Sequence, residues 1–240
     1  MTGRFAAAAL VGGLVSTLHA QTPPAARLRT QFDLSFVQAA GNTRLTTLHL
    51  SERLGYHPAP WKLTQTFAVV NGSAEGVQTA NSLGAGLRGD YEFTPRFRLY
   101  GLVGYEQDRF AGLARRLREE AGASYGAIAA ARDTLDIEAG IGLTQEQGDT
   151  TAARDFASSR AAVRYRRVFR AATYCEGRSE LLVNLADGDD NRVNADLALV
   201  APISRNVAVK LGYTVRYDQQ PEPGKRATDT VAAAGLQIAF

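Results

Sequence analysis

A two-residue period runs through almost the whole chain and is the feature that most limits its fold. In the segment 207–217, the odd positions are apolar or aromatic, while the even positions are small, polar or charged. The segments 135–143 and 83–93 repeat this pattern. Such alternation is typical of β-strands with one apolar face. Beyond residue 30, no comparable stretch has apolar residues at helical spacing, so the sequence predicts an all-β protein.

About twelve such segments follow one another, and an even number of strands is typical of outer-membrane barrels. The predicted strands are 30–40, 44–56, 61–72, 77–93, 96–110, 118–130, 134–147, 154–168, 172–185, 191–203, 206–218 and 226–240. The links after even-numbered strands are short, whereas most others, among them 111–117 and 219–225, are longer and more polar. The predicted fold is therefore a transmembrane antiparallel β-barrel of about 12 strands in an up-and-down meander, with short periplasmic turns and longer outer loops. A soluble periplasmic β-sandwich is the alternative fold.

Composition excludes several other classes of protein. With 45% hydrophobic residues the chain has too much apolar surface for a disordered protein, and its single cysteine cannot form an internal disulfide. The formal net charge of +3 is too small for a protein held to nucleic acid by a strongly basic face. After residue 20 the longest apolar run is 197–203, far shorter than the ~18 residues of a membrane-spanning helix.

The N-terminal segment has the pattern of a secretory signal peptide. Residues 1–20 begin with a basic region, continue with the apolar stretch 5–15 and end with the small residue Ala20. We expect cleavage after Ala20, a short periplasmic leader at 21–29 and a barrel at 30–240. The apolar stretch is too short for a spanning anchor helix, which is the alternative, and no cysteine directly follows it to accept a lipid. Together with the predicted barrel, this segment indicates the outer membrane of a Gram-negative bacterium.

Aromatic residues and the C-terminal strand agree with a membrane barrel. The aromatic residues near predicted strand ends, where interfacial girdles lie in such barrels, are Tyr56, Trp61, Tyr91, Phe93, Phe97, Tyr105, Phe110 and Tyr217. The chain ends in a strand with Leu236, Ile238 and a terminal Phe240 at alternate positions. This ending resembles the assembly signal of outer-membrane barrels, which implies recognition by the barrel-assembly machinery.

Two segments resemble motifs of a known family. The segment 35–43, with its Gly-Asn-Thr tip, is similar to the first hairpin of the salt-induced outer-membrane or YdiY-like proteins, a family of unknown function. The segment 105–113, followed by Arg115 and Arg116, resembles the central motif of that family, although Ala111 stands where the family has a polar residue. The resemblance implies an outer-membrane barrel and a link to salt or osmotic stress, and it implies no catalytic residues.

The polar faces of the strands line the lumen if the apolar faces meet lipid. The charged residues that this rule assigns to the lumen are Arg88, Asp90, Glu92, Arg98, Glu106, Asp108, Asp136, Glu138, Arg160, Arg164, Arg166, Glu176, Arg178, Glu180, Asp196, Lys210 and Arg216. Unpaired charges are costly to bury, so these side chains must pair with one another or stay hydrated. They indicate either a water-filled pore or a plug of salt bridges, and a barrel of about 12 strands is intermediate between small filled barrels and open porins.

The favoured function is passive passage of small polar or ionic solutes. The first alternative is a closed structural or surface-binding barrel that acts through its outer loops. The loop contacts with anionic lipid head groups would be Arg115, Arg116 and Arg118. The expected partners are outer-membrane lipids, the barrel-assembly machinery and small solutes, with no nucleic acid.

Motifs for catalysis and for metal binding are weak. His49, near Ser51 on the predicted lumen face, has no evident third residue for a catalytic triad. The acidic loop 187–191 lacks the distant glutamate of a calcium-binding loop. Cys175 lies on a predicted lipid face, and Glu52 interrupts the apolar face of the second strand. We expect no enzyme, no cofactor and no metal; a lipid-modifying enzyme is the third alternative.

Overall fold

Alternating side chains in twelve segments produce twelve β-strands, because each strand can place apolar groups on one face and polar groups on the other. The structure, a computed structural model, describes residues 27–39 and 45–240. Its strands are β1 (Arg27–Ala39), β2 (Leu45–His57), β3 (Trp61–Ala74), β4 (Val77–Glu92), β5 (Phe97–Asp108), β6 (Leu113–Ala129), β7 (Asp133–Gly148), β8 (Arg154–Val168), β9 (Tyr174–Asn184), β10 (Asn191–Pro202), β11 (Val207–Asp218) and β12 (Thr228–Ala239). A short 3₁₀ turn, Arg170–Ala172, lies between β8 and β9. The described ranges contain no helix long and apolar enough to span a membrane.

The strands form a closed antiparallel barrel in which each strand pairs with its neighbours in sequence. β1 closes the barrel against β12, in a register that runs from Gln31 opposite Ala239 to Ser35 opposite Gly235. Closure pairs the strand edges, as a membrane requires, since hydrocarbon offers no hydrogen bonds to an open edge. The predicted up-and-down meander of twelve strands is confirmed.

The outer face of the barrel is apolar and uncovered. Leu87 on β4 is 64% exposed and Ile141 on β7 is 68% exposed. Leu197 on β10 and Leu211 on β11 are also exposed on this face. An apolar surface that continues around the barrel is unfavourable in water and favourable in hydrocarbon, which is the arrangement of an outer-membrane barrel.

The two ends of the barrel differ in their links and aromatic residues. We call the end that carries the links after β2, β4, β6, β8 and β10 the turn end, and the opposite end the loop end. At the turn end the rings of Trp61 and Tyr91 lie 5.1 Å apart, and those of Tyr91 and Phe93 lie 4.8 Å apart. Phe97 continues the row at 6.3 Å from Phe93. These rings form part of a belt of the kind that membrane barrels place at the interface.

Two loop-end links are shorter than the sequence predicts: the link between β3 and β4 and the link between β5 and β6. β3 and β4 are joined by the two-residue turn Glu75-Gly76, whose φ angles of 51° and 79° suit a tight hairpin. The prediction of a loop at 111–117 is wrong, because β6 begins at Leu113. The register shifts between Leu113 and Arg115, and this irregularity interrupts the two-residue period that would identify the strand. Among the described loop-end links, the longer ones are 149–153, 185–190 and 219–227.

Some predicted features lie outside the described residues. They are the signal peptide at 1–20, the first part of the leader at 21–29 and the hairpin tip at 41–43. β1 begins at Arg27, three residues before the predicted start of the barrel.

Candidate functional site: the charged lumen

The predicted lumen-lining charges lie on the inner face of the barrel. Leu87 and Val103 are opposite each other and point outward, so their neighbours Arg88 and Leu102 point inward. The same alternation, followed from strand to strand, places on the inner face Arg88, Asp90, Arg98, Glu106, Asp108, Asp136, Glu138, Arg160, Arg164, Arg166, Lys210 and Arg216. It also places there Glu92, Glu176, Arg178, Glu180 and Asp196.

A central cluster of ion pairs surrounds Arg160 on β8. Its Nη1 lies 2.9 Å from Oε2 of Glu138 and 3.5 Å from Oε1 of Glu120, and its Nε lies 2.8 Å from Oε2 of Glu180. The Arg160 side chain is only 2% exposed. A guanidinium offers five donors in one plane and can therefore serve several carboxylates at once. Four consecutive strands, β6 to β9, meet in this buried network.

Arg88 on β4 extends the central cluster. Its guanidinium lies 2.7 Å from Asp90 and 2.9 Å from Glu138, and it stacks 4.0 Å from the centre of the Tyr100 ring. The Tyr100 hydroxyl donates a hydrogen bond of 2.5 Å to Glu120. The side of the lumen formed by β4–β9 is thus occupied by paired side chains.

Two glycines on the inner face make room for this packing. A Cβ atom on Gly140 would lie 2.4 Å from the Tyr100 hydroxyl and 2.8 Å from Oε1 of Glu120. A Cβ atom on Gly122, which is opposite Gly140 in the sheet, would lie 2.6 Å from the same hydroxyl. The missing side chains therefore allow the Tyr100 hydroxyl to approach the wall.

A second cluster, the loop-end cluster, surrounds Glu146 on β7. The Glu146 carboxylate lies 2.6 Å from Arg116, 2.8 Å from Arg154 and 3.0 Å from Arg192. The buried carboxylate of Asp190 lies 2.9 Å from Arg154 and 3.3 Å from Arg192. These ion pairs join several strands where the lumen opens at the loop end.

Two arginines predicted as loop contacts belong instead to the lumen. Arg116 and Arg118 lie on β6 and point inward, where Arg116 pairs with Glu146 and Arg118 lies 3.8 Å from Glu120. Arg115 is exposed and points outward. The prediction is wrong for Arg116 and Arg118 because the strand begins earlier than its interrupted alternation indicates.

The link between β11 and β12, residues 219–227, reaches toward other loop-end links; we call it the strap. Glu222 on the strap accepts a hydrogen bond of 2.7 Å from the Thr150 hydroxyl and another from the Thr151 hydroxyl. Gln220 donates to Asp187 at 3.2 Å. Because β11–β12 and β7–β8 are well separated around the barrel, the strap crosses part of the loop-end opening.

Asp33 connects three strands where the barrel closes. Lys210 on β11 lies 2.7 Å from Oδ2 of Asp33 on β1, and Gln237 on β12 donates to Oδ1 at 3.0 Å. The ion pair therefore spans the seam between the first and last strands. The sequence identified Lys210 as a lumen residue and missed its partner.

Three basic side chains in the turn-end half of the lumen form the basic cluster: Arg53 on β2, Lys62 on β3 and Arg164 on β8. None of them has an ion pair within 4.0 Å or a side-chain hydrogen bond to any residue that the structure describes. Arg53 and Lys62 are exposed and Arg164 is partly exposed, although all three point into the barrel. Solvent therefore reaches this part of the lumen.

The alternation pattern does not identify several inner-face residues. They include Asp33, Arg53, Lys62, Glu120 and Glu146. Strand parity could have identified Arg53, because Leu54 and Tyr56 beside it are outward-facing, but Glu52 interrupts the pattern at that point.

The outer face of β2 and β3 carries a polar pair. Glu52 points outward among apolar neighbours, and Gln65 on β3 donates a hydrogen bond of 3.4 Å to its carboxylate. Cys175 also lies on the outer face, opposite the exposed Leu199. The break in alternation at Glu52 is therefore a true feature of the outer surface and not an error of register.

The residues that the sequence suggests for catalysis, metal binding and assembly lie in different parts of the barrel. His49 points into the lumen between Ser35 and Val70 on the neighbouring strands. Within residues 27–39 and 45–240, no group of three or more His, Cys, Asp or Glu side chains is arranged to hold a metal ion. In β12, Leu236 and Ile238 lie on the outer face, and the side chain of the C-terminal Phe240 is 73% exposed.

Solved barrel structures share this architecture. The chain is similar to the translocator domain of the autotransporter NalP from Neisseria meningitidis, with a TM-score of 0.51, 11% identity and coverage of 92% of this chain and 90% of that chain. It is also similar to the NanC porin, with a TM-score of 0.51, 10% identity and coverage of 89% and 98%. At such identities the similarity concerns the fold alone.

Comparison of the sequence with other proteins identifies its family. No curated protein matches the sequence. The model of a family described as proteins of unknown function, DUF481, matches residues 32–240, so the chain belongs to this family, which confirms the resemblance drawn from its motifs.

Proposed function

We propose that this protein is a passive channel in the outer membrane of a Gram-negative bacterium, through which small polar or ionic solutes diffuse. The observation that carries the proposal is the solvent exposure of Arg53 and Lys62 on the inner wall of a closed barrel. A side chain that points inward is exposed only where open space adjoins it. The apolar outer face and the aromatic belt support the membrane location, and the fold shared with a porin supports the class of function.

The proposal assigns simple partners to the barrel. Outer-membrane lipids surround its outer face, and the barrel-assembly machinery binds its C-terminal strand. The protein acts without catalysis and without a cofactor. A role in salt or osmotic stress belongs to the same proposal, and slower growth of a deletion strain in high salt is its test.

A second candidate is a closed structural barrel that acts through its loop-end surface. The observation in its favour is the buried central cluster, which fills the lumen along β4–β9, together with the strap across the opening. In this case the ion pairs hold the barrel rigid, and the exposed basic cluster lines a space with no exit.

Single-channel conductance in a planar lipid bilayer separates the two candidates. The protein is refolded in detergent, and only material whose unboiled gel band migrates differently from the boiled band is used. Stepwise currents that are absent with boiled protein are expected for a channel. Folded protein that gives no current at any salt concentration contradicts the channel and favours the closed barrel.

A further inference from the structure

The basic cluster differs from most other inner-face cations in that no carboxylate neutralises it. Arg160 and Arg88 in the central cluster, like Arg116 and Arg192 in the loop-end cluster, lie at hydrogen-bond distance from carboxylates. Arg53, Lys62 and Arg164 have no such contact with any described residue. Because the rest of the lumen is rich in close ion pairs, three unpaired cations in one region are a specific feature.

The three residues of the basic cluster come from strands on opposite sides of the barrel. Arg53 and Lys62 come from the adjacent strands β2 and β3, whereas Arg164 comes from β8, half-way around the barrel. Arg164 is nonetheless close enough to Arg53 and to Lys62 for their charges to repel. The positive groups therefore face one another across the turn-end half of the lumen.

Nearby acidic groups do not neutralise this positive charge, because most of them form ion pairs with arginines outside the basic cluster. Asp90 lies 2.7 Å from Arg88, and Asp136 lies 2.6 Å from Arg98. Glu138 is likewise engaged in the central cluster.

Two acidic groups remain at the turn end: Glu92, whose carboxylate lies 3.4 Å from Nε2 of His57, and Glu176, which is opposite Arg166 in the sheet. Arg166 adds a further positive charge, and its guanidinium stacks 3.8 Å from the centre of the Tyr174 ring. The region therefore keeps an excess of positive charge.

We propose that Arg53, Lys62 and Arg164 form an anion-binding site that selects small oxyanions, of the carboxylate or phosphate class, for passage through the lumen. The selection of anions during passage rests on the proposed channel function. The binding of an anion to the three side chains can be tested in a protein that does not conduct. Guanidinium groups bind carboxylate and phosphate oxygens in pairs, and an ammonium group adds a compact positive charge. Separate cations in a hydrated space attract an anion without enclosing it, as a conducting site requires, since the ion must also leave.

The first test measures the reversal potential of the channel in a gradient of potassium chloride. The wild-type channel is expected to favour chloride over potassium. The variant with Arg53→Gln, Lys62→Gln and Arg164→Gln together is expected to lower the chloride-to-potassium permeability ratio by roughly fivefold, because nearby charges set the local ion concentration. Arg167→Gln is the matched control, since Arg167 is on the same strand as Arg164 but points outward, and it should leave the ratio unchanged.

The second test titrates inorganic phosphate into the folded protein in detergent and measures the heat of binding. Phosphate should bind the wild-type protein and the Arg167→Gln variant, and binding should weaken by roughly tenfold or more in the triple variant. Added phosphate should also reduce the chloride conductance of the wild-type channel, and it should leave the chloride conductance of the triple variant unchanged. All variants are first checked for the heat-dependent gel mobility of a folded barrel.

The outcomes separate this inference from the channel function. A channel that conducts but keeps the same ion selectivity in the triple variant overturns the proposed selection of anions and supports the channel function. A folded protein that binds phosphate through the cluster without conducting overturns the channel and supports the anion site. Phosphate binding that is absent, or equal in wild type and triple variant, overturns the anion site.

Discussion

The hydroxyl of Tyr100 donates a 2.5 Å hydrogen bond to the carboxylate of Glu120 and lies in the space that a side chain on Gly140 would fill. The bond joins β5 to β6 on the inner wall, and Glu120 in turn lies 3.5 Å from Arg160. Tyr100 therefore packs against the backbone of the wall and also binds a carboxylate of the central cluster.

Replacing Gly140 by alanine should destabilise the barrel by about 1–3 kcal/mol, because the new methyl group would collide with the Tyr100 hydroxyl and with Glu120. Urea unfolding of the protein in lipid vesicles measures the loss. Gly84→Ala is the matched control, since a Cβ atom on this inner-face glycine would meet no atom within 4 Å. Adding Tyr100→Phe should recover part of the loss, and additive losses would contradict a collision with the hydroxyl.

Replacing Arg160 by methionine should destabilise the barrel by about 3–5 kcal/mol, because Glu120, Glu138 and Glu180 would lose their shared cation in a buried place. The free energy of unfolding in lipid vesicles is again the measurement. Arg167→Gln, on the outer face of the same strand, should change it by no more than about 0.5 kcal/mol. An equally small change for Arg160→Met would show that the central cluster contributes little to stability.

Much of the fold was predictable from the sequence, because the alternation of a half-apolar strand is a local property. The prediction from this alternation is wrong at the start of β6, where the register shift near Leu113 interrupts the two-residue period. Strand parity likewise places Arg88 and Glu138 on the inner wall. That they contact each other, although β4 and β7 are not adjacent, depends on the curvature of the closed barrel, which no local pattern contains.

The ion-pair partners of the charged residues were less predictable than whether each residue faces the inside or the outside of the barrel. Arg160 and Arg164 are four residues apart on the inner face of β8, and a one-dimensional pattern treats them alike. In the barrel, Arg160 lies among three carboxylates, whereas Arg164 faces Arg53 and Lys62. Which charges are neutralised is therefore a property of the three-dimensional arrangement of separate strands.

Replacing Lys210 by methionine should weaken the closure of the barrel, because its ion pair with Asp33 spans the seam between β1 and β12. Hydrogen bonds to charged groups contribute roughly 1.5–3 kcal/mol, so a loss of that size is expected in urea unfolding. Lys62→Met is the matched control, since Lys62 is also an inner-face lysine but has no ion pair with a described residue. Equal effects of the two variants would rule out a special role for the seam.

Replacing Glu52 by leucine should stabilise the protein by about 1 kcal/mol in lipid vesicles, because a carboxylate on the lipid face is unfavourable. Gln65, which donates to Glu52, would then lack its partner, so the double variant with Gln65→Leu should be more stable than the single variant. Thermal unfolding followed by gel mobility measures both. A loss of stability in Glu52→Leu would contradict direct contact of this pair with lipid.

Replacing Glu222 by alanine should release the strap from the opening of the lumen, because Glu222 accepts hydrogen bonds from Thr150 and Thr151 on the link between β7 and β8. Each of the two bonds contributes on the order of 1 kcal/mol, so the population of the released strap should rise by roughly thirtyfold. Faster hydrogen exchange of residues 219–227 is expected, with longer open times in single-channel records. Asp189→Ala is the matched control, since it removes an exposed charge at the same end without touching the strap. If both variants change the current equally, the effect comes from surface charge and the strap does not obstruct the channel.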